Sequence, residues 1–174
     1  MFSMKLLIII VYFITTSFSY ALEKPDIKNL ILIEELKNYK EVIFKDENQK
    51  KLNLDDYKGN LIILNFWATW CAPCREEIPS LDVLQSDSRL NNLKIFPINI
   101  GQEDLIKSKS FFKKLNIKNL NIYFDPSISL AKKFKLRGVP TSIIFNKKGE
   151  EFARVVGLID FNDERFIKWL QNFN

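Results

Sequence analysis

The run Leu61-Ile62-Ile63-Leu64-Asn65-Phe66 constrains the fold more than any other stretch of the chain. It follows the loop signal Gly59-Asn60 and is too short for an ordinary helix. Its apolar residues fall on both of the alternating sets that a strand points to opposite faces. Such a strand must be covered on both sides, so it belongs inside a sheet sandwiched between layers.

The flanking pattern supplies those layers. Upstream, Glu41–Lys45 and Lys51–Leu54 bracket the polar turn Asp46-Glu47-Asn48-Gln49 and predict a β-hairpin. Downstream, the spacing predicts helices over 72–86, 103–115, 127–134 and 162–173. Between them it predicts strands over 93–100, 121–124, 142–145 and 152–156. Asp125-Pro126 introduces the third of these helices, and Lys147-Lys148-Gly149-Glu150 reads as a tight turn joining the last two strands. Alternating strands and helices, closed by a hairpin, make an α/β chain with a mixed central β-sheet flanked by helices. With 174 residues, 47% of them hydrophobic, the chain can bury a real core in one domain.

The first 21 residues read as a separate object. Lys5 precedes an apolar run from Leu6 to Ile14, and the small residues Ser19 and Ala21 mark a cleavage site of the secretory type. Extended to Leu22, the same run just reaches the length that crosses a bilayer core of ~30 Å. A signal peptide and an uncleaved membrane anchor both fit residues 1–21, and both put the rest of the chain outside the cytoplasm. Residues 22–40 are expected to form a loosely attached N-terminal extension, in which Ile27, Leu30, Ile31 and Leu36 fit a helix and Leu30–Ile33 fits a strand. The formal net charge of +5 is scattered, with no basic stripe interleaved with stacking aromatics, so nucleic acid is not an expected partner.

Composition matters most at the cysteines. No histidine occurs, which removes Ser-His-Asp and Cys-His catalysis and histidine-ligated metal sites. The only two cysteines fall in one tetrapeptide, Cys71-Ala72-Pro73-Cys74, directly after the buried strand and at a helix start. A bridge across so short a loop adds little stability, because stabilisation grows with the loop closed. Opening and closing is its logical use, against the alternative of a static disulfide. At the helix N-terminus, unpaired N–H groups and the macrodipole favour the Cys71 thiolate over the thiol. Pro73 fits the first turn, and Cys74 lies on the same face, within reach of Cys71. Cys71 is thus the exposed attacking sulfur and Cys74 the shielded resolving one.

The segment Trp67-Ala68-Thr69-Trp70-Cys71-Ala72-Pro73-Cys74-Arg75-Glu76-Glu77-Ile78-Pro79 resembles the active-site strand and helix of the thioredoxin-like fold. Within that fold it is similar to the TlpA-like exported thiol:disulfide oxidoreductases. Leu130-Ala131-Lys132-Lys133-Phe134 and Leu136-Arg137-Gly138-Val139-Pro140-Thr141 are similar to the helix and cis-proline loop of the same fold. The resemblance extends over about residues 41–173. It implies a thioredoxin-like domain over 41–174, with the hairpin as an added N-terminal element and a central αβ insertion over about 103–124. It also implies a cis bond before Pro140, with Val139 offering its backbone to substrate and Trp70, Ala72 and Pro73 completing the docking surface. Glu77 would lie near Cys74 and handle its proton, because Asn65 stands where thioredoxins of the cytoplasm carry a buried aspartate and cannot ionise. Trp67 is assigned to the core and Glu76 to the surface.

The implied function is a periplasmic reductase of partner-protein disulfides. Apocytochromes c and copper-centre assembly proteins are its implied partners, and a membrane thiol reductant would recycle it. No cofactor is expected beyond the redox-active disulfide, and no metal. Two alternatives stay open. One is a disulfide-donating oxidase, since Cys-x-x-Cys does not set direction. The other is a Cu(I) metallochaperone, which thiolates suit but which lacks a third soft ligand after Ala21.

Overall fold

The doubly covered strand is β4 (Leu61–Trp67), and all of its residues are buried. The computed structural model describes residues 24–174; the leader over 1–21, with its expected cleavage after Ala21, lies outside the described residues. Ahead of β4 come β1 (Leu30–Asn38), β2 (Ile43–Lys45), β3 (Lys51–Asn53) and a 3-10 turn at Leu54–Tyr57. After it come α1 (Ala72–Gln85), β5 (Leu93–Asn99), α2 (Leu105–Lys114) and β6 (Tyr123–Phe124). The chain then continues through α3 (Ser129–Lys133), β7 (Thr141–Phe145), β8 (Glu150–Val156) and α4 (Glu164–Gln171).

The strands form one mixed sheet in the order β1-β8-β7-β4-β5-β6-β2-β3. β4 and β5 run parallel, as do β5 and β6, while β7 lies antiparallel to β4 on its other side. The period of two along β4 then divides the interior. Leu61, Ile63 and Trp67 join the core under α1, α2 and α4, with Ile78, Phe111, Phe112, Phe166 and Trp169. Ile62, Leu64 and Phe66 join the opposite core, with Phe44, Phe96, Leu130, Phe134 and Phe145. By the same alternation Asn65 faces α1.

Two expectations need correction. The described part of the expected extension, residues 24–40, is not loosely attached: β1 pairs antiparallel with β8, with Leu30 opposite Val155 and Asn38 opposite Glu150. Leu30 is the only fully buried residue of β1, so its side chains lack the alternation that signals a strand, and backbone pairing to the edge of β8 holds it. The third helix is also shorter than its pattern. The buried Asp125 carboxylate accepts hydrogen bonds from the backbone N–H groups of Ser129 and Leu130, which delays helix onset past Ile128 at φ 54°. The predicted hairpin is β2–β3, and it joins the sheet through the pairing of Lys45 with Phe124 on β6.

Candidate active site

The end of β4 delivers the chain into the turn Ala68–Trp70 and then into α1. Cys71 is the N-cap of that helix, in extended conformation, and its Sγ accepts a hydrogen bond from the Cys74 N–H at 3.2 Å. This contact satisfies one of the N–H groups that a helix start leaves without a partner. Cys71 and Cys74 are joined as a disulfide with their Cα atoms 5.3 Å apart. Cys74 is fully buried and Cys71 is 4% exposed, so in the oxidised state the attacking sulfur is less open than its assigned role suggests. The exposed surface beside it comes from Trp70, at 68%, and Ala72, with Pro73 half-buried. Trp67 is a core residue stacked on Phe111, with ring centroids 5.0 Å apart.

Glu77 stands one helical turn after Cys74 and is 1% exposed. Its Oε1 accepts a hydrogen bond from Asn65 Nδ2 at 2.7 Å, as the facing of Asn65 toward α1 requires. Its Oε2 is buried with no hydrogen-bond partner among the described residues. Burial therefore pushes the carboxyl from its ordinary 4.5 up to about 8, against the smaller opposing pulls of the Asn65 hydrogen bond and the nearby Ile159 amide. Glu76, by contrast, is exposed.

Strand β7 brings the second half of the site. Its pairing of Thr141 with Phe66 sets Val139 and Pro140 beside the end of β4, and the bond between them is cis. Pro140 is buried and Val139 half-buried. Among the described residues no backbone hydrogen bond occupies the Val139 amide or carbonyl. The expected site residues Trp70, Cys71, Ala72, Pro73, Cys74, Glu77, Val139 and Pro140 thus converge on one end of the central strands.

Two participants were not foreseen. Ser142 receives the second hydrogen bond from Asn65 Nδ2, at 3.0 Å, which fixes the amide that Glu77 uses. Its place two residues past Pro140 is a signal that strand alternation could have supplied. Glu103, from the central insertion, accepts hydrogen bonds from Thr69 N–H at 3.1 Å and Thr69 Oγ1 at 2.6 Å. Nothing in the spacing of the sequence announces that contact. Among the described residues no cluster of His, Cys, Asp and Glu is arranged to hold a metal ion, and no helix is long and apolar enough to cross a membrane.

Comparisons with known proteins point the same way. The pattern of the AhpC/TSA family matches residues 36–150. The thiol-disulfide oxidoreductase ResA of Bacillus subtilis (strain 168) is 29% identical over 115 residues, which are 66% of this chain and 63% of that protein. ResA of Bacillus thuringiensis subsp. konkukian is 30% identical over 115 residues, 66% of this chain and 65% of that one. The chain thus matches slightly less than two thirds of the length of these relatives. Among solved structures, a thiol:disulfide interchange protein DsbE from Chlorobium tepidum superposes with a TM-score of 0.69 at 19% identity. That superposition covers 80% of this chain and 97% of the other, and it shows the shared thioredoxin-like fold.

Proposed function

The chain belongs to the AhpC/TSA family of thioredoxin-fold proteins, and from that premise we propose that it is a thiol:disulfide oxidoreductase that reduces disulfides in partner proteins. One observation carries the reading: the only two cysteines form a four-residue switch at a helix start, with a buried, under-bonded carboxyl one turn away. In the reduced protein the Cys71 thiolate attacks one sulfur of the partner's disulfide. That bond breaks, and the other partner sulfur leaves as a thiolate and takes a proton from water. In molecules whose Glu77 is ionised, the Cys74 thiol then gives its proton to that carboxylate and attacks Cys71 Sγ. The mixed disulfide breaks, and the partner's second sulfur leaves as a thiolate and takes a proton from water. Two electrons have passed from the cysteine pair to the partner, now a dithiol.

Glu77 suits its step by basicity. A thiol near ~8.5 loses its proton readily only to a base of similar strength, and an ordinary carboxylate is about four units too weak. A carboxyl raised to about 8 is matched. Trp70, Ala72 and Pro73 offer apolar contact to the partner, and the unoccupied Val139 backbone offers strand-type pairing.

The finer assignments rest on the resemblance of the active-site and proline-loop motifs. They are a thioredoxin-like domain over 41–174, with the extension over 22–40 laid onto its sheet through β1, and export by a leader over 1–21 that is either cleaved or kept as an anchor. They also include a periplasmic location, recycling by a membrane thiol reductant, and partners among apocytochromes c or copper-centre assembly proteins. The disulfide is the only redox group the reaction uses. The test is trapping: Cys74→Ser accumulates a mixed disulfide through Cys71 with its partner, and Cys71→Ser does not. No adduct with Cys74→Ser sinks the mechanism, and a reduction potential near ~−120 mV instead of ~−270 mV reverses its direction.

A further inference from the structure

Beside the disulfide lies a groove of about 450 Å³ between the turn after β4 and helix α2, lined among others by Thr69, Arg75, Ile106, Lys107, Phe111 and Lys114. Its place is set by the chain itself. Thr69 stands two residues before Cys71, and Arg75 directly follows Cys74. A partner held in a mixed disulfide at Cys71 therefore carries the rest of its chain past this opening.

The groove is built in advance of any partner. Glu103 ties its two walls together by accepting both the N–H and the hydroxyl of Thr69. Gly101 leaves the space for that tie, since a Cβ there would overlap the Glu103 carboxylate. Phe111 is clamped between the stacked Trp67 ring and the Arg75 guanidinium, whose Cζ lies 5.6 Å from the ring centroid. Fixed walls keep the entropic cost of docking low.

The lining is polarised. Arg75, Lys107 and Lys114 are exposed cations around the opening, and Ile106, 81% exposed, supplies an apolar seat. Asp104 is the one carboxylate among the lining residues, and it caps α2 by accepting the Lys107 N–H at 2.7 Å. Glu103, in the wall, lies 4.0 Å from Lys107 Nζ and offsets part of that charge, so among the described residues Arg75 and Lys114 are the lining cations without a carboxylate of their own. We propose that this groove selects partner proteins whose disulfide is flanked by an acidic stretch, with an apolar side chain on Ile106 and carboxylates meeting Arg75, Lys107 and Lys114. This rests on the reading above that partner disulfides are the substrate. The central insertion then acts as the selector, and the cysteine pair acts on what the insertion holds.

The experiment uses three disulfide-bonded peptides identical except for the residues beside the cysteine, which are acidic, basic or serine. The rate of their reduction by the reduced protein is measured at low and high salt. The acidic peptide is expected to react about tenfold faster than the basic one at low salt, with the ratio shrinking as salt screens the charges. In Lys107→Gln/Lys114→Gln that ratio falls toward one. In Lys147→Gln/Lys148→Gln the same charge is lost from the β7–β8 turn, at the far end of β4 and roughly 20 Å away, and the ratio holds. A ratio of one in the unmodified protein, or an equal fall in both double variants, overturns the groove as selector. Reduction of the serine peptide separates the two readings. If that peptide is reduced while the ratio is one, the groove alone fails; if it is not reduced at all, disulfide exchange itself fails.

Discussion

Among the described residues, Glu77 and Glu151 are the glutamates buried to 1% exposure or less, and they are treated in opposite ways. Glu151, on the β1–β8 side of the sheet, is surrounded by donors: Arg154 Nε and Nη2 reach its two oxygens, and the Tyr39 hydroxyl donates to Oε2 at 2.7 Å. Arg154 also donates to the Phe134 carbonyl, so the cluster ties strand, helix end and edge strand together. Glu77, one turn after Cys74, has the Asn65 amide as its one close donor, the Ile159 amide as a weaker neighbour, and one oxygen with no hydrogen-bond partner among the described residues. A buried carboxylate that is fully compensated can stay charged and serve as a fastener. One that is under-compensated holds its proton to higher pH, and it can therefore exchange that proton near neutrality. The difference separates a structural carboxylate from one poised for chemistry.

Removing the fastener should separate the two duties most clearly. Glu151→Ala leaves the half-buried Arg154 without its carboxylate and is expected to cost about 3 kcal/mol in urea unfolding. The rate of disulfide exchange per folded molecule should not change. A large loss of exchange in the folded fraction would mean that the two carboxylates do not have separate duties.

Glu77→Gln is expected to do the reverse. The resolving step should slow by about a hundredfold, seen as a longer-lived mixed disulfide, and should lose the pH dependence that Glu77 gives it. Stability should move the other way. Because the folded-state value is raised from 4.5 to about 8, the unfolded chain loses this proton first as pH rises. Stability from this group is complete below about 4.5 and declines until about 8, where both states are ionised. The oxidised Glu77→Gln protein should escape that decline and exceed the unmodified protein by a few kcal/mol at pH 9. Parallel stability curves for the two proteins across that window would remove the case for a raised Glu77.

How much of this the sequence displays depends on how local the cause is. β4 and the helix start at Cys71 are legible because an apolar run and a Cys-x-x-Cys each act within a few residues. Glu77 is legible as a candidate from its spacing to Cys74, although its burial depends on Asn65 and Ser142 arriving from two other strands. The Glu151 cluster is not legible. Residues 151 and 154 should fall on opposite faces of a regular strand. The register slip that pairs Ile144 with Ala153 but Phe145 with Glu151 inserts one extra residue and turns both to the same face. β1 is hidden for a similar reason, since its partner lies more than a hundred residues downstream and its own side chains bury little.

The finest probe of the comparison is the hydroxyl of Tyr39, which stands between β1 and the Glu151 cluster. Burial, reinforced by Glu151, pushes that hydroxyl up to about 12, so it stays protonated and donating throughout the working range. Tyr39→Phe removes this donor and the contact it offers Arg154 Nη2 at 3.2 Å. The ring keeps its edge-on packing against Phe134, with centroids 4.7 Å apart. The expected loss is about 1 kcal/mol, because Arg154 still compensates the carboxylate. Hydrogen exchange should therefore quicken at the amides of Leu30–Asn38 while those of Leu61–Trp67 hold, since the Tyr39 hydroxyl links only the edge strand to the cluster. The rate at Cys71 should stay where it was. If it shifts with the edge strand, the fastener and the proton site are mechanically coupled through the sheet, and Glu77 owes part of its setting to a cluster on the opposite face.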